Sequence, residues 1–175
     1  MGNGGVRLGN LTVNGGTLRQ TGEADDSVNN ITFNSGTISW DSSDAGGTLV
    51  INGTIGGANA DTINYHHKEV TINSTQSING LFWSLVIPAG VTVTNADSLK
   101  IRKNLTIEST GFFAHNDKTL TFGNDAVDGS ISDNNSSLVN LGRVEVNKTS
   151  SDSKVSAATN LLFTDLTITR GSFEI

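Results

Sequence analysis

The feature that most constrains this chain is a phrase that recurs without being copied. NLTIESTGFF from Asn104 to Phe113 is restated as NLTVNGGTL from Asn10, NITFNSGTI from Asn30 and DLTITRGSF from Asp165. Each version begins with a turn-forming Asn or Asp, runs through alternating apolar and polar residues, bends, usually at a Gly, and ends in a second short apolar run. That is the grammar of a coiled β-structure.

Inside the strands the apolar residues stand two apart, as in Leu11 and Val13, Ile31 and Phe33, Val70 and Ile72, Leu105 and Ile107, and Leu120 and Phe122. A period of two gives each strand one dry face and one wet face. The residue between the two is often Thr, as at Thr12, Thr32, Thr71, Thr106 and Thr167, so an outward column of β-branched hydroxyls is expected. Strand cores begin near Leu11, Ile31, Leu49, Val70, Leu85, Leu99, Leu105, Leu120, Val144 and Leu166. Many of the steps are roughly 14 to 24 residues, the range of one turn of a β-solenoid. The connections include Gly15-Gly16, Gly46-Gly47, Gly56-Gly57 and Pro88-Ala89-Gly90, and few have the two-residue length of a tight hairpin. Seven to eight coils of about 20 residues would make a rod on the order of 35 Å long.

Composition agrees. With 20 Gly, 1 Pro and a polar set dominated by Asn, Thr and Ser, the 175 residues have turn formers and β-compatible side chains but few good helix formers. Residues 1–175 read as one domain, since nothing in the punctuation asks for a second. A net charge of −6 and a pI near 4.8 repel nucleic acid and anionic membrane. No stretch reaches membrane-spanning length, so no membrane insertion is expected. Cys is absent, which removes disulfides and thiolate metal sites. The opening MGNGGVRLGN has no charged region leading into an apolar one, so the chain is expected to be an excised piece of a longer exported protein.

Three segments break the rhythm. Residues 52–69 read as a longer excursion carrying Tyr65, His66 and His67; residues 122–137 read as a polar, acidic loop; residues 147–160 read as a Ser-rich loop with a weak strand around Val155. In solenoids, function usually sits on such insertions or on one lateral face.

From Leu85 onward, LVIPAGVTVTNADSLKIRKNLTIESTGFFAHNDKTLTFGN and then LGRVEVNKTSSDSKVSAATNLLFTDLTITRGSFEI resemble the degenerate repeats of large bacterial surface and secreted proteins. Those repeats are similar to the ones in autotransporter-passenger and filamentous-haemagglutinin-like adhesins. The resemblance implies an all-β, right-handed parallel β-helix of the pectin-lyase-like kind, an extracellular or cell-surface setting in a bacterium, and a structural or adhesive role.

The candidate chemistry is sparse. Asp125, Asp128 and Asp133 offer oxygen ligands at short spacing and form a calcium candidate, although the loop lacks the order of an EF-hand or a β-roll. No other cofactor is implied. Tyr65, His66 and Trp83 are the ligand-binding candidates, and Trp40, Phe82, Phe112 and Phe113 could add a sugar-stacking platform if they face outward. Asp25-Asp26 is a carboxylate pair of the kind polysaccharide hydrolases use, but the GHG and RIK marks that accompany it in polygalacturonase-like enzymes are missing, so no catalytic residue is assigned. Regular TxT runs, as an ice-binding face needs, occur only at Thr92, Thr119 and Thr167. Eight Asn-x-Ser/Thr sequons, among them Asn10, Asn30, Asn52, Asn73, Asn104 and Asn147, read as a by-product of coils that begin with Asn and strands that begin with Thr. The expectation is a non-enzymatic rigid stalk presenting lateral loops, with surface glycans or further copies of itself, end to end, as partners. The competing expectation is a carbohydrate-binding β-helix, or a polysaccharide lyase or glycoside hydrolase, in which Asp, Arg and aromatic side chains would share a groove.

Overall fold

The structure, a computed structural model, describes residues 5–20, 24–40, 47–65 and 67–175. It is a parallel β-solenoid of about seven turns with a spacing of roughly 21 residues. The first strands all stack in one sheet, and from Asn64 onward the chain winds back and forth between that sheet and a second one. The first sheet stacks Arg7–Gln20, Asp26–Trp40, Thr48–Ile51, Glu69–Ile72, Leu85–Ile87, Asn104–Ile107, Gly129–Asp133, Lys154–Ala157 and Ser172–Glu174 in that order. The second stacks Asn64–Tyr65, Gln76–Phe82, Thr92–Ile101, Thr119–Gly123, Arg143–Asn147 and Asp165–Arg170. Ile55–Gly56 pairs with the second strand of the first sheet, and Phe112–Ala114 pairs with Thr92–Ile101. Every strand pairing among the described residues is parallel. The only helical turn among them is the 3-10 piece Ala60–Thr62.

The two-residue period sets the register. Leu49 lies beside Val70, Val70 beside Leu85, Leu85 beside Leu105 and Leu105 beside Ile131, forming one inward column in the first sheet. In the second sheet Tyr65, Phe82, Ile101, Phe122 and Val146 form another. Apart from Leu49 at its head, these side chains are completely buried. Taking each one out of water contributes about 1.5–3 kcal/mol. A one-residue slip would turn the whole column outward, so burial fixes the register. On the wet face Thr71, Val86, Thr106 and Ser132 stand side by side.

Coils differ in length. Partners are 20 residues apart at Arg7 and Ser27, 15 at Val70 and Leu85, and 26 at Asn104 and Ser130. The differences are absorbed in the turns and in bulges within strands, as between Ile78 and Gly80, and the inward columns are kept.

Side-chain amides run between coils beside the backbone bonds. Asn30 donates through Nδ2 to Asn10 Oδ1 at 2.7 Å, Asn34 to Asn14 at 2.8 Å and Asn73 to Asn52 at 3.1 Å. Asn104 Oδ1 accepts from both the amide and the hydroxyl of Ser130, at 3.1 Å each. The sequons at Asn10, Asn30, Asn52, Asn73 and Asn104 therefore belong to coil-to-coil bonding, which accounts for Asn at the head of the repeated phrase. Glycine is required where coils approach most closely. Gly36 has φ of +106° and stacks on Gly16, whose carbonyl oxygen would lie 2.4 Å from any Cβ placed at position 36.

Three readings of the sequence change. Residues 52–69 are not an excursion: Ile55–Gly56, the 3-10 turn and Asn64–Tyr65 carry this coil across to the second sheet. The acidic segment 122–137 contains a full rung, Gly129–Asp133, hidden because only Ile131 of its three inward residues is aliphatic. The repeated phrase also serves at both corners: from Asn104 it leads from the first sheet to the second, and from Asp165 from the second back to the first.

Candidate functional site

A polar and aromatic cluster lies at the corner where the second sheet returns to the first. Tyr65 and Phe82 are in register and stack with ring centroids 4.4 Å apart and planes 12° apart. One residue further along that coil, the Trp83 amide donates to the Tyr65 carbonyl at 3.1 Å, and the Trp83 carbonyl accepts from the Lys103 amide at 2.8 Å. The Arg102 guanidinium carbon stands 5.8 Å from the Trp83 ring centroid, within cation–π range. The Arg102 carbonyl in turn accepts from Lys148 Nζ at 2.5 Å. The corner thus runs across Tyr65, Trp83, Arg102 and Lys148.

The cluster is largely dry. Trp83 is 7 % exposed and Lys148 1 %. Trp83 Nε1 and Arg102 Nε are buried without a hydrogen-bond partner among the described residues. Burial pushes the Tyr65 phenol well above its ordinary pKa. Loss of water around the Lys148 ammonium lowers its pKa, and the nearby carboxylates of Asp125 and Asp128 oppose that shift. Of the three ligand-binding candidates, Tyr65 is taken up by the core, Trp83 is nearly enclosed under Arg102, and His66 lies outside the described residues.

The calcium candidates separate. Asp125 Oδ1 caps the Val127 amide at 3.1 Å, and Asp128 Oδ1 accepts from the Lys154 amide at 2.9 Å, both near Lys148. Asp133 belongs to the first sheet and is buried. Its Oδ1 accepts from the Asn135 amide at 3.1 Å and from Asn135 Nδ2 at 2.7 Å, and its Oδ2 accepts from the Val139 amide at 2.7 Å. Among the described residues no three His, Asp or Glu side chains come together to hold a metal ion.

The Asp25-Asp26 pair also joins coils. Asp25 Oδ1 accepts from the amide and the hydroxyl of Thr48 at 2.9 Å each, and these bonds lower its pKa. Asp26 Oδ1 accepts from the Val6 amide at 2.7 Å, while its Oδ2 lies 3.4 Å from Nε2 of the buried His67. His115, the remaining described histidine, accepts from the Asp117 amide at 3.0 Å through Nδ1 and packs on Gly142.

Of the aromatic residues considered for sugar stacking, Phe82 and Phe113 are completely buried and Phe112 is half exposed. The Trp40 side chain lies outside the described residues.

Sequence reasoning missed Lys148, Arg102 and the Asp26–His67 pair, although a signal for two of these residues was present. Lys148 continues the inward beat of Val144 and Val146, and Asp26 stands two before the inward Val28. A charged residue on the inward beat marks a buried charge that the fold must neutralise or bond. The arrangement does one kind of chemistry well: it ties consecutive coils together at a corner where neither sheet continues.

Comparison of the chain with protein-family models, with curated proteins and with solved structures finds no match in any of the three.

Proposed function

We propose that this solenoid is a rigid stalk segment of an extracellular or cell-surface protein of bacterial type, whose work is to hold lateral loops at a fixed distance. The likeness of its repeats to autotransporter-passenger and filamentous-haemagglutinin-like segments, with their right-handed coil, supports this reading. The observation that carries it is the pair of side-chain columns, Leu49 to Ile131 and Tyr65 to Val146, each joined rung by rung through parallel backbone bonding. A body built this way resists bending, because bending must open rungs on one side and crush a close-packed column on the other. Nine rungs of the first sheet at about 4.8 Å give a rod of about 38 Å.

The test is energy transfer between dyes placed at the two ends of the chain. A stalk gives one narrow distance distribution that is unchanged by salt and solvent viscosity. A broad distribution that shifts with either condition would overturn the reading. A glycan array probes what the lateral loops present: binding that survives removal of every exposed loop residue would place recognition on the sheets and not on the loops.

A further inference from the structure

The basic residues of this acidic chain are not spread evenly around the coil. Lys68, Arg102, Lys103 and Lys148 lie in the connections that return from the second sheet to the first, and Lys154 and Arg170 flank two of them. The stretches that lead the other way, residues 52–63, 73–75, 88–91, 108–111, 134–142 and 158–164, contain neither Lys nor Arg. Stacking the coils therefore gathers cations along one lateral edge of a body whose net charge is −6.

Arg102 and Lys103 are the open part of that edge. The Arg102 amide donates to the Phe82 carbonyl and the Lys103 amide to the Trp83 carbonyl, at 2.8 Å each, while the Lys103 carbonyl accepts from the Ser130 amide at 3.1 Å. Coils on both sides thus fix the backbone of the pair. Both side chains are half-buried. The Arg102 guanidinium stands over the Trp83 ring, a contact that holds it in place. Its Nε is buried without an acceptor, so the Nη edge is the one that faces water. Among the described residues no carboxylate lies within ion-pair distance of Arg102 or Lys103. The carboxylates of Asp125 and Asp128, whose charges act on Lys148, accept from the amides of Val127 and Lys154.

The four side chains gathered here, Trp83, Arg102, Lys103 and Lys148, carry hydrogen-bond donors and no acceptor. Trp83 is 7 % exposed, and its Nε1 is unpaired as well. Donors collected without an acceptor are completed by an anion.

We propose that this corner binds an oxyanion, the carboxylate or sulfate group of an acidic ligand. The outward Nη fork of Arg102 takes two of its oxygens, the Lys103 ammonium supplies a second contact, and Trp83 is the platform that keeps the fork in position. A guanidinium edge matches two oxygens of one such group, which a lone ammonium does not. A free ion and a group carried on a polymer offer the same chemistry. The site goes beyond the stalk reading and does not depend on it.

The test follows Trp83 emission and binding heat in a Trp40→Phe background, which leaves Trp83 as the sole tryptophan. The probes are carboxymethyl-dextran, neutral dextran and sodium sulfate, at about 20 mM ionic strength so that screening is weak. Carboxymethyl-dextran should bind saturably and shift the emission, and neutral dextran should do neither. Competition by sulfate assigns the site to any oxyanion; a polymer response without it restricts the site to carried carboxylates, and both uphold the inference. Arg102→Gln should weaken binding about tenfold or more, and Arg102→Lys, which keeps the charge but loses the fork, nearly as much. Lys103→Gln should weaken it severalfold. Lys100→Gln removes an exposed cation from the neighbouring sheet face and should leave binding unchanged. Circular dichroism checks that each variant keeps its β-structure. No binding of carboxymethyl-dextran, equal binding of neutral dextran, or a loss from Lys100→Gln as large as that from Arg102→Gln would each overturn the inference.

Discussion

Asp133 lies directly beside Ile107 in the parallel register of the first sheet, so a buried carboxylate takes the inward place that an aliphatic side chain holds one coil earlier. The carboxylate is satisfied from its own coil, by the amides of Asn135 and Val139 and by Asn135 Nδ2. It is the hub on which the chain turns out of the first sheet after Asp133.

Removing that hub should be costly. Asp133→Ala leaves the Val139 amide, at a buried position, without its acceptor and is expected to lower stability by about 3 kcal/mol in urea titration, whereas Asp133→Asn keeps one acceptor oxygen and should lose about half as much. An Asp133→Asn variant as stable as the parent, with the loss confined to Asp133→Ala, would show that volume, and not hydrogen bonding, matters at this site.

The chain contains a single tyrosine, so its phenol can be followed alone. Burial raises the pKa of Tyr65, which means that the folded state holds its proton where the unfolded state has already lost it. Stability from this group is complete below about pH 10, the unfolded value, and is lost as pH rises beyond it. Phenolate absorbance should therefore appear together with unfolding; a smooth titration at the ordinary value with circular dichroism unchanged would contradict the placement. Tyr65→Ala, which leaves Phe82 without its stacking partner, should cost about 3–5 kcal/mol.

Lys148 should be the least reactive amine in the folded protein. Its ammonium is enclosed and bonded to the Arg102 carbonyl, so acylation followed by mass spectrometry should label Lys68, Lys100, Lys103, Lys118 and Lys154 first and reach Lys148 only on unfolding. Because its folded pKa lies below the unfolded one, enclosure of this charge weighs most on the folded state at low pH and is relieved as pH rises through the folded value. Lys148→Met keeps much of the volume and should be tolerated better than Lys148→Ala.

Gly36→Ala places a Cβ in a left-handed backbone conformation and against the Gly16 carbonyl. The expected loss is about 3 kcal/mol or more, read as a lower urea midpoint, with the damage in the first two coils. A variant as stable as the parent would contradict the close stacking of those coils.

The solenoid was legible because its signal is repeated. Leu105 and Ile107, or Leu120 and Phe122, state the inward beat in two letters, and each pair repeats the statement of the coil before it. The rung at Gly129–Asp133 was not legible, because Gly129 and Asp133 occupy inward places where an aliphatic residue was expected. The corner from Tyr65 to Lys148 was half legible. Tyr65 and Trp83 were singled out as the chain's rare aromatics, but their adjacency depends on the 17-residue step between Asn64 and Leu81, and coil lengths from 15 to 26 residues cannot be counted from the repeat alone. The Asp26–His67 pair, 41 residues apart, was hidden for the same reason.

Methyl-labelled nuclear magnetic resonance tests the winding most directly. Stacked parallel coils require the strongest Overhauser contacts to join Leu85 to Leu105 and Ile87 to Ile107, with Leu105 passing the chain on to Ile131. If the strongest contacts instead cross, Leu85 to Ile107 and Ile87 to Leu105, the strands are antiparallel and the solenoid is not the fold of this protein.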